Sequence, residues 1–391
     1  MKGFAAGIAS CVGLLAPAVT IAAAPAYSIE TIGDVVQLHD SHTATTVSVL
    51  TPVSNAYEMV VNGHNILRMR IKTVDEMRAR PGLNGIPLLA PFANRLDETA
   101  FYANGRKYNF DMQMGNVRDP IPIHGFVTGA NAWKVVDARA DDSGAWVTST
   151  LEFYRVPEYM QQFPFAHTLT MTYKLSDGAL EVRTRIDNLS AEPMPVSIGF
   201  HPYFQLTDSV RNDWTLSAPA KTHWILGSTK VPTGETESAQ EFWGADPRAI
   251  ALKNYATRDI DDVFSDLERD AQGRATFSVH GTRQSVAVTV GPKYKTMLIY
   301  TTAPRPAGDN SQRRRTAESE PPPPVSVGPA VPLSATNATP DLPNRGFVAF
   351  EPMVAITNAM NLAHKGLYDE LQSIPPGESW EESFWVRPDG Y

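Results

Sequence analysis

The chain has 391 residues, of which 42% are hydrophobic and 19% charged, and its formal net charge is −8. A chain of this length can bury a large core, either as one big β-domain or as two ordinary domains. Its acidic balance excludes a dominant basic surface, so we expect neither nucleic acid nor an anionic membrane as a partner.

Residues 1–26 have the pattern of a secretory signal peptide. Lys2 supplies a positive start, and the stretch from Phe4 to Ala24 is apolar or small and carries no charge. Ala24-Pro25-Ala26 offers a cleavage site between small residues, with Ala22-Ala23-Ala24 as a second choice. The terminal alanines favour cleavage over a permanent anchor. We therefore expect a periplasmic or secreted protein that leaves the membrane after cleavage.

The one cysteine, Cys11, lies inside this signal. Ile8-Ala9-Ser10-Cys11 is similar to a lipoprotein cleavage box, although the apolar stretch before it is short, so lipidation stays open as an alternative. Without lipidation the mature chain has no cysteine, and neither a disulfide nor a thiol nucleophile is expected.

The sequence beyond the signal predicts short strands. Residues 27–47 are interpreted as a lead-in and a first strand. Asn62-Gly63 and Asn104-Gly105 each separate two β-prone runs, which indicates hairpins. The clearest hairpin spans 167–188, where apolar and polar residues alternate on both sides of a Ser176-Asp177-Gly178 turn.

Helical periodicity is almost absent, with short candidates at Val74–Arg78 and Ala359–Leu371. The 31 prolines and 26 glycines are spread along the chain as turn signals. A last strand is predicted around Phe384-Trp385-Val386. Together these patterns predict an all-β fold, a large antiparallel β-sandwich formed by residues 27–391.

Residues 304–345 interrupt this domain with a Pro-rich segment that contains four consecutive prolines, Pro321 to Pro324. The segment has few large apolar residues and cannot bury enough surface to offset its ordering entropy, so we expect an exposed, mobile insertion. Strand-like residues 296–302 precede it and Gly346–Phe350 follow it. The two flanking strands are therefore predicted to lie in one sheet.

Five stretches combine polar residues with apolar, strand-like surroundings. They are Pro91-Phe92-Ala93-Asn94-Arg95, Ile123-His124-Gly125-Phe126, Gly199 to Phe204, Asp261-Asp262-Val263-Phe264 and Phe350-Glu351-Pro352. Taken singly, three of them have ordinary structural explanations: Arg95 as a surface partner of Asp97, His124 as a turn histidine, and Asp261-Asp262 as a turn or cap. His201 and Glu351 lie in runs so apolar that burial is unfavourable unless the side chain is paired or functional.

Two other kinds of site have weaker support in the sequence. His124, His201 and Asp261 are possible zinc ligands, but the close ligand spacing of known zinc motifs is missing. A Ser-His-Asp hydrolase is poorly supported, because neither G-x-S-x-G nor a βαβ rhythm is found.

The ordered set of motifs resembles the aldose 1-epimerase (galactose mutarotase) family. Asn94-Arg95, His124-Gly125, His201-Pro202-Tyr203-Phe204, Asp261-x-x-Phe264 and Glu351-Pro352 follow one another as they do in that family. The resemblance implies a galactose mutarotase-like supersandwich with a sugar cleft on one sheet. It covers about residue 50 to the C-terminus.

The resemblance also implies roles for single residues. Glu351 matches the general base, His201 the general acid, and His124 a second histidine that binds the sugar and assists at the ring oxygen. The residues matching those that bind the sugar are Asn94, Arg95, Tyr203 and Asp261, with Asp262 as an open alternative to Asp261.

The implied reaction interconverts the α and β anomers of a free monosaccharide of the glucose or galactose type, with no cofactor and no metal. A carboxylate and an imidazolium suit this chemistry, since one removes a proton while the other delivers one. Aromatic residues such as Tyr203, and also Phe92 or Trp243, are candidates for stacking on the apolar face of the sugar. A non-catalytic sugar-binding module of the same fold is the alternative function. A phosphorylated substrate would need extra cations, and Arg68, Arg70 and Lys72 lie on a strand-like stretch of unknown position.

Overall fold

The computed structural model of the chain describes Met1, residues 25–304 and residues 346–391, apart from 114, 116 and 119. Residues 2–24 of the predicted signal peptide, with Cys11, and residues 305–345 of the predicted insertion lie outside the described residues. Within the described ranges, no helix is long and apolar enough to cross a membrane.

Strands dominate the described chain. In order, the first fourteen are β1 Tyr27–Ile32, β2 Val35–Asp40, β3 Thr45–Leu50, β4 Asn55–Val61, β5 His64–Asn65, β6 Leu88–Leu89, β7 Ala100–Ala103, β8 Arg106–Asn109, β9 Val117–Arg118, β10 Ile121–Pro122, β11 Lys134–Asp141, β12 Gly144–Leu151, β13 His167–Ser176 and β14 Ala179–Asn188. The following strands are β15 Met194–Val196, β16 Gly199–Phe200, β17 Tyr203–Phe204, β18 Thr215–Ser217, β19 Ala220–Leu226, β20 Pro232–Ser238, β21 Ile250–Ala251, β22 Ile260–Leu267, β23 Ala275–His280, β24 Ser285–Val290, β25 Thr296–Thr301, β26 Val348–Met353, β27 Gln372–Ile374 and β28 Ser379–Asp389.

The helices of the described residues are short. They are α1 Val74–Ala79, α2 Pro157–Gln162, α3 Ala239–Trp243 and α4 Ala359–His364, with single 3₁₀ turns at Thr51–Val53, Phe153–Arg155, Arg211–Asp213 and Leu252–Tyr255. The predicted helix at Ala359–Leu371 is thus shorter than expected. Gly366 adopts the left-handed conformation there, with φ of 71°, which ends the helix.

Two large antiparallel sheets form the body of the fold. The nine-stranded sheet has the order β11-β12-β13-β14-β28-β24-β23-β18-β21. The eight-stranded sheet has the order β20-β19-β22-β25-β26-β16-β6, and β17 also pairs with β26. A third, five-stranded sheet contains β1 to β5. The predicted all-β antiparallel fold is confirmed.

The main core lies between the two large sheets. Alternation along β13 buries Leu169, Met171 and Tyr173 on one face, as the period of two in the sequence predicts. Phe200 of the eight-stranded sheet contacts Phe384 of the nine-stranded sheet, with ring centroids 4.8 Å apart. Interdigitating side chains of this kind make the fold a sandwich.

The N-terminal prediction needs a correction. Residues 27–47 are not a lead-in with one strand, because β1 and β2 form a hairpin of their own around Gly33, which has φ of 62°. The hairpin is stable because Val35 and Leu38 of β2 are fully buried.

The strands that flank the Pro-rich segment are neighbours. In β25 and β26, Leu298 lies opposite Glu351 and Tyr300 opposite Ala349. The prediction that both strands belong to one sheet is confirmed.

Candidate functional site

One face of the eight-stranded sheet collects the polar residues that the sequence singled out. Asp261 lies opposite Tyr300, Tyr300 opposite Ala349, and Ala349 opposite Tyr203, so this row crosses β22, β25, β26 and β17. Residues directly opposite each other point to the same side of a sheet. Glu351, two residues along from Ala349, points to this side as well.

His201 and Glu351 are in direct contact on this face. Gly199 pairs with Met353 and Tyr203 with Ala349, so the same register places His201 opposite Glu351. The Nε2 of His201 is 2.9 Å from the Oε1 of Glu351, and the exposed fractions of the two residues are 5% and 1%. The acid and base candidates therefore form one buried pair.

Each member of the pair keeps one polar atom without a hydrogen-bond partner. Among the described residues, nothing bonds the Nδ1 of His201 or the Oε2 of Glu351, and both atoms are buried. Burial raises the pKa of Glu351, and His201 and Arg95 offset this only in part, while the charge of Asp261 adds to it. A carboxylate with a raised pKa and an unused oxygen is suited to take up a proton.

His124 is held against this pair by an unusual backbone. His124 and Gly125 both adopt left-handed conformations, with φ of 60° and 59°. A Cβ on Gly125 would collide with the carbonyl of Ala90, so only glycine fits after the histidine. The rings of His124 and His201 meet edge-on with centroids 5.4 Å apart.

The tautomer of His124 follows from its contact with Asn94. The backbone N–H of Asn94 donates to the Nδ1 of His124 at 3.3 Å, and the backbone N–H of His124 donates to the Asn94 carbonyl at 2.8 Å. Because Nδ1 accepts, the ring proton lies on Nε2. His124 is thus arranged as a hydrogen-bond donor.

Arg95 lies with Asp261 rather than with Asp97. The Nη2 of Arg95 is 3.6 Å from the Oδ2 of Asp261, and Nη1 donates to the Oδ1 of Asn94 at 3.0 Å. A separation of 3.6 Å is longer than a hydrogen bond, so the two groups face each other as an ion pair without a direct hydrogen bond. Asp97 instead pairs with Lys365 at the start of another loop.

Asp261 and Asp262 point to opposite sides of β22, and this distinguishes the two alternatives. Asp262 shares its side of β22 with Ile260 and Phe264, which belong to the main core. Its Oδ1 lies 3.2 Å from the Nε2 of His223. Asp261, not Asp262, lies beside Arg95 on the face that carries Glu351.

His223 connects Asp262 to the edge of the sheet. Its Nδ1 lies 2.9 Å from the Oε1 of Glu237 on β20, and its ring packs on Phe242. Carboxylate oxygens can only accept, and each ring nitrogen of His223 faces one of them. The Oδ2 of Asp262 accepts the backbone N–H of Asp261 at 3.0 Å, which ties Asp261 to this cluster.

The family model described as aldose 1-epimerase matches residues 59–338, more than half of the chain. The chain belongs to the aldose 1-epimerase family. The suspected resemblance is therefore confirmed at the level of the family.

Solved structures show the aldose 1-epimerase fold over nearly the whole chain. A galactose mutarotase-like protein from Clostridium acetobutylicum has a TM-score of 0.70 at 20% identity, covering 93% of this chain and 98% of that one. Galactose 1-epimerase from Lactobacillus acidophilus NCFM has a TM-score of 0.64 at 13% identity, with the same coverage. Identities this low establish the fold alone.

A curated sequence relative matches a shorter part of the chain. Escherichia coli K12 YphB is 29% identical over 140 residues, which are 35% of this chain and 41% of YphB. The match thus spans less than half of that relative.

The aromatic residues around His201 differ in part from those expected to stack on a sugar. Tyr203 stacks on His201 with ring centroids 4.6 Å apart. Phe92 and Trp243, which were considered as sugar-stacking residues, are wrong choices, since both are buried in the main core, where Trp243 stacks on Phe264. Tyr300 lies near His201 instead, with ring centroids 6.3 Å apart.

Sequence reasoning missed Tyr300 and could not place Arg68 and Arg70. The guanidinium of Arg70 lies 4.7 Å above the Tyr203 ring, and that of Arg68 lies 4.8 Å above the Phe347 ring. The alternation Leu298, Tyr300 in β25 was a usable signal for Tyr300. Nothing local in the sequence indicates which ring an arginine will cover.

The site residues do not form a metal cluster. Within the described part of the chain, no group of three or more His, Cys, Asp or Glu side chains is arranged to hold a metal ion.

Proposed function

We propose that the protein is an aldose 1-epimerase that interconverts the α and β anomers of a free monosaccharide of the glucose or galactose type. The observation that carries the proposal is the buried contact between His201 and Glu351, in which the carboxylate keeps Oε2 for another partner. Membership of the family supports an enzyme of this kind.

The reaction needs one proton removed and one delivered. Glu351 takes the proton of the hydroxyl on C1, and His201, as the imidazolium, donates a proton to the ring oxygen O5. The C1–O5 bond breaks and C1 becomes the aldehyde carbon. After rotation about C1–C2, O5 attacks the other face of C1, Glu351 returns its proton to the carbonyl oxygen, and His201 recovers the proton of O5. No net proton or electron is exchanged.

The remaining polar residues hold the sugar. Arg95 and Asp261 are spaced so that a hydroxyl can accept from the guanidinium and donate to the carboxylate. Asn94 fixes Arg95, and His124 donates through Nε2 near the ring oxygen. Tyr203, stacked on His201, lines the same site.

Polarimetry tests this function. Freshly dissolved α-glucose and α-galactose should relax to equilibrium faster with the purified mature protein than in buffer alone. Relaxation at the buffer rate for all aldoses of a panel would contradict the proposal. Saturable sugar binding without faster relaxation would identify the non-catalytic sugar-binding module instead.

We also propose that the protein works outside the cytoplasm, in the periplasm or the medium. The apolar start of the sequence supports this, and the first strand begins at Tyr27, directly after the predicted cleavage site. Cell fractionation and the mass of the mature chain test it. A full-length cytoplasmic product would contradict it, and a lipid mass on Cys11 would identify a lipoprotein.

A further inference from the structure

The loop between α1 and β6 carries one apolar side chain over the site. Leu83 is half-buried and packs against two apolar clusters, one of which includes Ala349 and the other Leu298. Ala349 lies two residues from Glu351 on β26, and Leu298 lies opposite Glu351 on β25. Leu83 is therefore placed over the face of the eight-stranded sheet that carries Glu351.

The turn that carries Leu83 is fixed by hydrogen bonds of Asn84. The backbone N–H of Arg70 donates to the Oδ1 of Asn84 at 3.0 Å, and the Nδ2 of Asn84 donates to the Pro81 carbonyl at 2.9 Å. The side chain of Asn55 donates to the carbonyl of Asn84 at 3.0 Å. Asn84 is 6% exposed, so these bonds are largely shielded from water. The position of Leu83 is thus set by its neighbour in the chain and by that neighbour's partners in two other segments.

A fixed leucine affects a sugar differently from the polar residues of the site. Arg95 and Asp261 carry charged groups, whereas the side chain of Leu83 presents only carbon atoms. Such a side chain can contact the C–H groups of a pyranose. A second sugar unit pressed against it would clash with it or lose hydration without gaining new hydrogen bonds. A wall of this kind therefore favours a small ring over a substituted one.

We propose that Leu83 determines specificity by size, so that the site takes a free monosaccharide and discriminates against reducing disaccharides. The partial exposure of Leu83 leaves one side of it open to a ligand, while its other side packs on the clusters around Glu351. The inference rests on the proposed function, because it takes the contact between His201 and Glu351 as the place where C1 and O5 of the sugar bind.

The first test compares glucose with maltose and isomaltose, which add a second glucose unit at O4 and O6 of the same reducing ring. The exchange between the two anomers is measured at equilibrium by NMR saturation transfer. For the wild type, kcat/KM for glucose should exceed that for both disaccharides by about tenfold or more. Equal use of glucose and both disaccharides by the wild type would overturn the inference while leaving the epimerase in place.

Leu83→Ala tests the residue. Alanine removes most of the wall, so the ratio of disaccharide to glucose kcat/KM should rise about tenfold for at least one linkage. The linkage that gains more identifies the hydroxyl that faces Leu83. An unchanged ratio for both disaccharides would overturn the inference.

Two control variants separate the bulk of Leu83 from other effects. Leu83→Met nearly conserves the side-chain volume and should keep the wild-type ratio. Leu189→Ala shortens a 54% exposed leucine directly after β14, in the nine-stranded sheet, and should also keep it. If Leu83→Met changed the ratio as much as Leu83→Ala, the size of the side chain would not be the cause, and the inference would be overturned.

Calorimetric titration separates the two proposals. If the wild type speeds the exchange of no sugar, the epimerase fails, and the binding of glucose, maltose and isomaltose decides the role of Leu83. The ratio of disaccharide to glucose association constants should then rise about tenfold in Leu83→Ala. An unchanged ratio, or no binding of any of the three sugars to either protein, would overturn the inference.

Discussion

The side chain of Glu351 lies in a buried position that disfavours the charged form of a carboxylate. It is 1% exposed on a central strand, and one of its oxygens has no hydrogen-bond partner among the described residues. Burial raises its pKa, so the group holds a proton more strongly than an exposed glutamate does. Such a group costs stability at neutral pH, and the proposed function gives a reason for keeping it.

The pH dependence of kcat/KM follows from the neighbours of Glu351. A general base must be deprotonated, so activity should fall as the pH drops through its raised pKa, above the range of an ordinary glutamate. Asp261 raises this pKa and Arg95 lowers it. Asp261→Asn should therefore move the acid limb of the profile to lower pH, and Arg95→Gln should move it to higher pH. If both variants moved the acid limb in the same direction, or if neither variant moved it, Glu351 would not be the group that sets this limb.

At the scale of elements, strand register creates the site. His201 and Glu351 are 150 positions apart in the sequence, yet the pairing of β16 and β17 with β26 sets them face to face. On the opposite side of β22, the cluster Glu237–His223–Asp262 joins three neighbouring strands and supports the backbone of Asp261. Under the proposed function, Asp262 and His223 would therefore position the carboxylate of Asp261 from the opposite side of the strand.

Asp262→Asn tests this support. Asparagine cannot accept from both His223 and the Asp261 N–H, so stability should fall by about 3 kcal/mol. KM should rise about tenfold while kcat changes little, because the chemical groups stay in place. The control is Asp266→Asn on the same strand. This substitution should change the free energy of unfolding by no more than about 0.5 kcal/mol. An unaltered KM in Asp262→Asn would mean that the cluster serves the fold alone.

Much of the local structure could be predicted from the sequence. Three hairpins are indicated by Asn62-Gly63, by Asn104-Gly105 and by the alternation over 167–188. These signals are local, because the turn residues and the alternation of buried side chains involve only neighbouring residues. The two-residue strands β6 and β16 carry no such signal, since their pairing depends on distant chain segments.

The candidate site residues can be named from the sequence, but their arrangement cannot. Adjacent acids such as Asp261 and Asp262 point to opposite sides of a strand, and the sequence alone does not say which side faces the core. The position of Arg70 above Tyr203 depends on a bridge between Leu67 and Phe204, which no local pattern predicts.

At the scale of the whole molecule, the two strands that flank residues 305–345 are direct neighbours in the eight-stranded sheet. The strands on either side of that segment are already paired, from Thr296 opposite Met353 to Tyr300 opposite Ala349. Loop-closure entropy grows slowly with loop length, so a shorter connection costs nothing as long as it can span the hairpin end.

Replacing residues 305–345 with four Gly and Ser residues tests this view. The shortened protein should unfold in one cooperative step, with a melting temperature no lower than that of the wild type. A control with 41 Gly and Ser residues in the same place keeps the natural length. A fall of the melting temperature by more than about 5 °C in both variants would show that the natural segment packs on the sandwich.

The central claim is that Glu351 and His201 together open and close the sugar ring, and Glu351→Gln tests it most directly. Glutamine keeps the shape but cannot take the proton, so the relaxation rate measured by polarimetry should fall at least about 1000-fold. Removing the buried charge should leave the melting temperature at or above the wild-type value. Glu381→Gln, an exposed change on β28, should keep full activity. A folded Glu351→Gln protein that still relaxes the sugar at the wild-type rate would contradict the account.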